Sequence, residues 1–190
     1  GWEGRVLPFE LVQRIYMQDE VTALEEKEAQ LSDLSSVYEE VIDSLTEEEQ
    51  EGDYLKDGNF VSQEVKAKVE ELLADIETDE IVVLQQYLSL SKKKEKIEFV
   101  ATHNEVDWTS MLLGNNGTYA KTAIVGRINE LKRNYNFDED SFENKIVTVL
   151  DTIEKESALK KEGRDLNAAL HAKTKEMIEL ISYDDAIAVL

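Results

Sequence analysis

The sequence predicts an all-α chain: two long, antiparallel, coiled-coil-like helices with a smaller helical lobe between them. Three observations lead there. Met17, Leu24, Leu31, Tyr38 and Leu45 follow one another at seven-residue intervals, with Leu34 and Val41 three positions after Leu31 and Tyr38. Such spacing lays apolar side chains along one stripe of a helix and asks for a second helix lengthwise against it. A second stripe, from Phe142, Ile146, Val149, Leu150 and Ile153 to Leu159, Leu166, Leu170, Met177 and Ile181, can answer it. Finally, Pro8 is the sole proline, and neither glycine nor proline interrupts the chain between Pro8 and Gly52.

The first arm spans 9–46. Pro8 stands at its first turn, where a missing N–H costs nothing, and Leu11, Val12, Ile15 and Tyr16 open the apolar face. Glu25, Glu26, Lys27, Glu28, Asp33, Glu39 and Glu40 form its solvated side. At ~1.5 Å per residue the arm is about 55 Å long. Glu47 to Asp53 reads as helix fringe fraying into a loop, and Gly52 to Asn59 as a polar connector.

The lobe is expected at 52–140. Ser62 caps a helix with Val65, Val69, Leu72, Leu73 and Ile76 on one face. Thr78, followed by Asp79 and Glu80, starts another that carries Ile81, Leu84, Leu88 and Ile97. Lys92-Lys93-Lys94-Glu95-Lys96 is the one dense basic run and reads as a solvated helix face. Residues 102–118 are the least regular stretch; Thr118 then caps a helix with Ile124, Ile128, Leu131 and Tyr135 on one side. Asp140-Ser141-Phe142-Glu143 offers a capping box in its Asp form for the second arm, 141–181. Its register slips between Ile153 and Leu159, and Gly163 interrupts the face, so the coiled coil is not ideal. Ser182-Tyr183-Asp184-Asp185 looks like a further helix start at 182–190, and both chain ends read as cut from a larger polypeptide.

Composition narrows the function. Forty-two acidic residues against twenty-one basic ones give a formal charge of −21, which repels a phosphate backbone. Such acidity solvates the exterior or complements a basic partner. With no cysteine, disulfides and thiolate metal sites are absent, which suits a cytoplasmic location. No apolar run approaches the roughly 18 residues of a membrane span.

Candidate chemistry is sparse. Gly114-Asn115-Asn116-Gly117-Thr118-Tyr119-Ala120-Lys121-Thr122 imitates a phosphate loop, but the glycines its backbone cradle needs are replaced by Ala120 and Asn115. His103 and His171 are the only histidines, and a zinc site would need carboxylates from afar. The acids from Glu47 to Asp53 lack the alternating ligand order of a calcium loop. No catalytic, cofactor-binding or metal-ligating residue is assigned. Surplus apolar positions on the second arm, Leu166, Leu170, Met177 and Ile181, are assigned to partner contact instead.

Several segments resemble a known family. Trp2-Glu3, Leu7-Pro8-Phe9-Glu10-Leu11-Val12-Gln13 and the acidic heptad helix are similar to the region after the catalytic domain in modification subunits of type I restriction-modification systems. So are Asp140-Ser141-Phe142-Glu143, Leu159-Lys160-Lys161-Glu162, Leu170-His171-Ala172-Lys173-Thr174-Lys175-Glu176 and Ile178-Glu179-Leu180-Ile181.

The resemblance implies a parent that is an S-adenosylmethionine-dependent adenine-N6 DNA methyltransferase, working with a specificity subunit and a restriction subunit. The family grips its flipped adenine with an Asn/Asp-Pro-Pro-Tyr/Phe loop. A stretch whose sole proline is Pro8 does not hold that loop, so no catalytic residue carries over. For this chain the resemblance implies docking onto the specificity subunit and DNA contact only through the full assembly; the surplus apolar surface predicts self-association when the partner is missing. Two alternatives stand beside it: a stand-alone coiled-coil protein that dimerises through the Met17–Leu45 ladder, and a helical enzyme using carboxylates.

Overall fold

The computed structural model describes residues 9–112, 120–180, 184, 185 and 188. They are predominantly helical, with a single two-stranded hairpin. The chain divides into two compact units: 1–65 with 147–190, and 66–146.

In the first unit the expected single arm is two helices, α1 (Phe9–Tyr16) and α2 (Gln18–Ser44). Met17 leaves helical geometry at φ −132° and ψ 41°. Both helical hydrogen bonds survive, Met17 N to Gln13 O at 2.9 Å and Val21 N to Met17 O at 3.1 Å. On a straight helix Val12 and Met17 would point about 140° apart. Bent at Met17, both bury with Leu170 in one cluster, packed around by Tyr16, Val21, Leu24, Met177 and Ile178.

The helix stops because Leu45 and Thr46 are extended, and Thr46 immediately caps α3 (Glu47–Gln50). Thr46 Oγ1 accepts from Glu49 N at 3.2 Å while the Glu49 carboxylate accepts from Thr46 N at 3.0 Å. The acidic run is therefore a capped turn of helix rather than fraying chain, because this capping box satisfies two end N–H groups reciprocally.

The polar connector is also more ordered than expected. Strands β1 (Leu55–Lys56) and β2 (Asn59–Phe60) pair antiparallel around Asp57-Gly58. Both turn residues have positive φ, 52° and 76°, the requirement of a type I′ hairpin turn. Tyr54 is buried, its hydroxyl donating to Glu49 O, and the Phe60 ring lies 6.0 Å from that of Tyr38. Residues 52–65 consequently group with the arms, and the lobe begins later than position 52.

The second unit is built from α4 (Ser62–Ala74, from Lys66 on), α5 (Asp79–Ser89), α6 (Lys93–Thr102), α7 (Trp108–Leu112) and α8 (Ala120–Arg133). Thr78 caps α5 through its hydroxyl, 3.3 Å from Ile81 N. One core gathers Ile76, Ile81, Leu84, Tyr87, Val106, Trp108, Met111, Ile124 and Ile128. Trp108 satisfies its indole N–H on His103 O at 2.7 Å, and its ring lies 5.1 Å from Tyr87.

Leu90 and Lys92 are extended, so the chain breaks between α5 and α6. The lysine run therefore sits at a helix start rather than mid-helix. That break also turns α6, so Phe99 and Val100 pack on the core while Ile97, expected on the apolar face, is 60% exposed. Tyr135, expected beside Ile128, is 43% exposed and meets Phe137 edge-on.

The second arm is α9 (Phe142–Leu180). Ser141 Oγ, not Asp140, accepts from Asn144 N at 3.1 Å. The residue one step later takes the cap because the helix starts at Phe142. Of the short segment beyond, Asp184, Asp185 and Ala188 are helical and exposed.

Candidate interaction surface

The contacts between the first unit's long helices run in opposite directions. Gln13 pairs with Thr174, Glu20 with Lys173, Lys27 with Glu162 and Tyr38 with Glu156. The arms are antiparallel because each step up α2 meets a step down α9. The ion pairs are unequal: Lys27 Nζ to Glu162 at 2.6 Å, and Lys173 Nζ to Glu20 at 3.4 Å. Glu20 is held below its usual pKa, first by a backbone N–H bond within the opening turn of α2, then by Lys173. The Tyr38 phenol is pushed well above its ordinary value, first by burial and then by the charge and hydrogen bond of Glu156.

Burial along the seam is uneven. At one end Val12, Met17 and Leu170 are closed off; toward the other Val41, Leu45 and Val149 are. Between them Leu31, Leu34 and Leu159 are only half-buried. Two grooves flank this stretch. One, about 460 Å³, is lined by Gln30, Asp33, Leu34, Lys155, Ala158, Leu159 and Glu162. The other, about 400 Å³, is lined by Leu24, Lys27, Glu28, Leu31, Leu159, Lys160, Gly163, Arg164 and Asn167. An apolar floor with charged rims between two long helices is chemically suited to holding another helix.

The four second-arm positions assigned to partner contact are not together on this surface. Leu170 is 3% exposed against Val12 and Met17, and Met177 packs on the same cluster, so both serve the chain's own contact. Leu166 is half-buried, and Ile181 lies outside the described residues. The sequence reading missed Ala158, Leu159 and Gly163 as groove floor. The interruption of the apolar stripe at Gly163 was the signal, since a Cβ placed there would meet nothing within 4 Å.

Other candidate sites are weaker. In the second unit a cleft of about 430 Å³ is lined by Glu80, Asp107, Ser110, Met111, Ala123, Gly126, Arg127 and Glu130. Its guanidinium is already committed: Arg127 Nε reaches Glu80 at 3.1 Å and Nη1 reaches Glu130 at 3.5 Å. The glycines of the loop that imitates a phosphate cradle lie outside the described residues, and Lys121 is exposed. His103 stacks on Phe99 at 3.9 Å with Nδ1 2.8 Å from Phe99 O, while His171 is exposed. Among the described residues no three His, Asp or Glu side chains form a metal-holding group, and no helix is long and apolar enough to cross a membrane.

Comparison with known protein families, curated proteins and solved structures finds no match for this chain.

Proposed function

We propose that this chain is the subunit-interaction region of a type I restriction-modification modification subunit, docking onto the helical spacers of the specificity subunit. It does no chemistry itself; adenine-N6 methylation from S-adenosylmethionine belongs to the parent polypeptide, and DNA and the restriction subunit are met through the cytoplasmic assembly. The segment resemblance names the system, and the observation that carries docking is the half-buried seam at Leu31, Leu34 and Leu159 with a groove on either side. A helix pair covers one stripe of each member, whereas helical bundles are completed by three or four helices. A spacer helix laid along the seam would complete one here.

The alternative, a stand-alone protein dimerising through the ladder, places a second copy on the same surface. Charge weighs against it, since α2 carries nine acids and one lysine and two such helices side by side repel. Sedimentation of the chain with and without the cognate specificity-subunit spacer tests the reading. A complex should form with the spacer, and any self-association of the chain should disappear; a chain that ignores the spacer rejects it.

A further inference from the structure

We infer that the groove floored by Leu31, Leu159 and Gly163 receives an amphipathic helix of another protein, cationic along the edge that meets α2 and anionic along the edge that meets α9. The inference rests on the docking reading and adds the chemistry of the occupant.

The floor comes first. Gly163 lies inside the 39-residue helix α9, with nothing within 4 Å of where its Cβ would be. No close approach within the described chain therefore requires glycine at that position. What the glycine does is keep the floor low beside Leu31 and Leu159, so that a helix can settle between α2 and α9.

The rims differ in sign. On the α2 side Glu28 is exposed and makes no ion pair among the described residues, and Lys27, the one cation of α2, is taken by Glu162. On the α9 side Lys160 is held by Glu156, but Arg164 is exposed and has no ion pair or hydrogen bond among the described residues. An incoming helix thus finds a carboxylate on the α2 edge and a guanidinium on the α9 edge, the arrangement by which flanking charges choose partner and orientation in helical bundles. The α2 of a second copy, with nine acids and one lysine, offers no cationic edge to meet Glu28.

Three synthetic leucine-heptad helices sharing one apolar stripe make the test: Lys on one edge and Glu on the other, Glu on both, and Lys on both. Each is titrated calorimetrically into the 190-residue chain and into its Gly163→Leu variant. The split helix should bind roughly tenfold more tightly than either of the others. Gly163→Leu fills the groove and should weaken that binding by a similar factor, while helicity and melting temperature hold or rise because leucine favours the helix over glycine. Equal binding of the all-Lys helix would reduce the effect to the chain's overall charge of −21 and overturn the inference. So would unchanged binding in Gly163→Leu, no binding at all, or sedimentation showing a dimer that Gly163→Leu dissociates. If the split helix binds but a specificity-subunit spacer does not, the family reading fails and this inference stands. Spacer binding that is indifferent to Gly163→Leu gives the opposite result.

Discussion

The side-chain amide of Gln13 donates to the hydroxyl of Thr174 at 3.2 Å, joining positions 161 residues apart. Thr174 has no exposed surface; its hydroxyl donates to Leu170 O at 2.6 Å and lies 3.6 Å from Met17 Sδ. A polar group buried among Val12, Met17 and Leu170 is tolerated because it is fully hydrogen-bonded. Thr174→Val keeps the shape and removes the acceptor, leaving the Gln13 amide without that partner in a half-buried position. The expected loss is about 1–2 kcal/mol of unfolding free energy, read by urea denaturation. Equal stability of the variant would mean the bond contributes nothing.

Tyr38 makes the chain's stability depend on alkaline pH. Burial and Glu156 hold its folded pKa above the ordinary phenolic 10.0. The neutral phenol is therefore favoured by folding; that contribution is complete below pH 10 and is lost as pH rises through the folded value. Thermal melts of wild type should fall above pH 10, and Tyr38→Phe should lose less over the same interval. Parallel curves for the two proteins would reject this assignment.

Two glycines should respond in opposite directions. Gly58 sits at φ 76° in the hairpin turn, so alanine there is strained and should cost about 1 kcal/mol. Gly163 is inside a helix with open space above it, and Gly163→Ala should stabilise by about 1 kcal/mol. Melting temperatures of the two variants should move down and up respectively; a drop for Gly163→Ala would place something against that position.

In the second unit, Leu84 is fully buried while Ile97 is 60% exposed. Leu84→Ala should cost about 2–5 kcal/mol through lost burial and the cavity left behind. Ile97→Ala should stay within about 0.5 kcal/mol. Denaturation of both variants checks the orientation of α6, and a large loss at Ile97 would contradict it.

Those two residues also mark how far the sequence could be read. Leu84 and Ile81 were legible because helical periodicity points them inward wherever the helix runs on unbroken. Ile97 was not, because the break after Ser89 resets the phase and periodicity cannot cross such a break. The long arms and their antiparallel order followed from the Met17–Leu45 ladder and the stripe that runs from Phe142 to Ile181. The bend at Met17 depends on a contact with Leu170 far along the chain, which local pattern does not contain. The hairpin was within reach: Asp57-Gly58 is a strong turn signal, hidden by very short flanking strands. On the candidate surface, the sequence marked apolar residues of α9 without showing which ones the chain would use itself. Leu170 and Met177 are covered by α1 and Met17, while Leu159 and the gap at Gly163 remain accessible.

The most direct measurement of the central claim is amide hydrogen exchange of the 190-residue chain, alone and with the cognate specificity subunit. The account expects slowed exchange over residues 24–34 and 155–167, which line the two grooves, and little change in α5, α7 and α8. Protection confined to the second unit, or no protection along the seam, would contradict it.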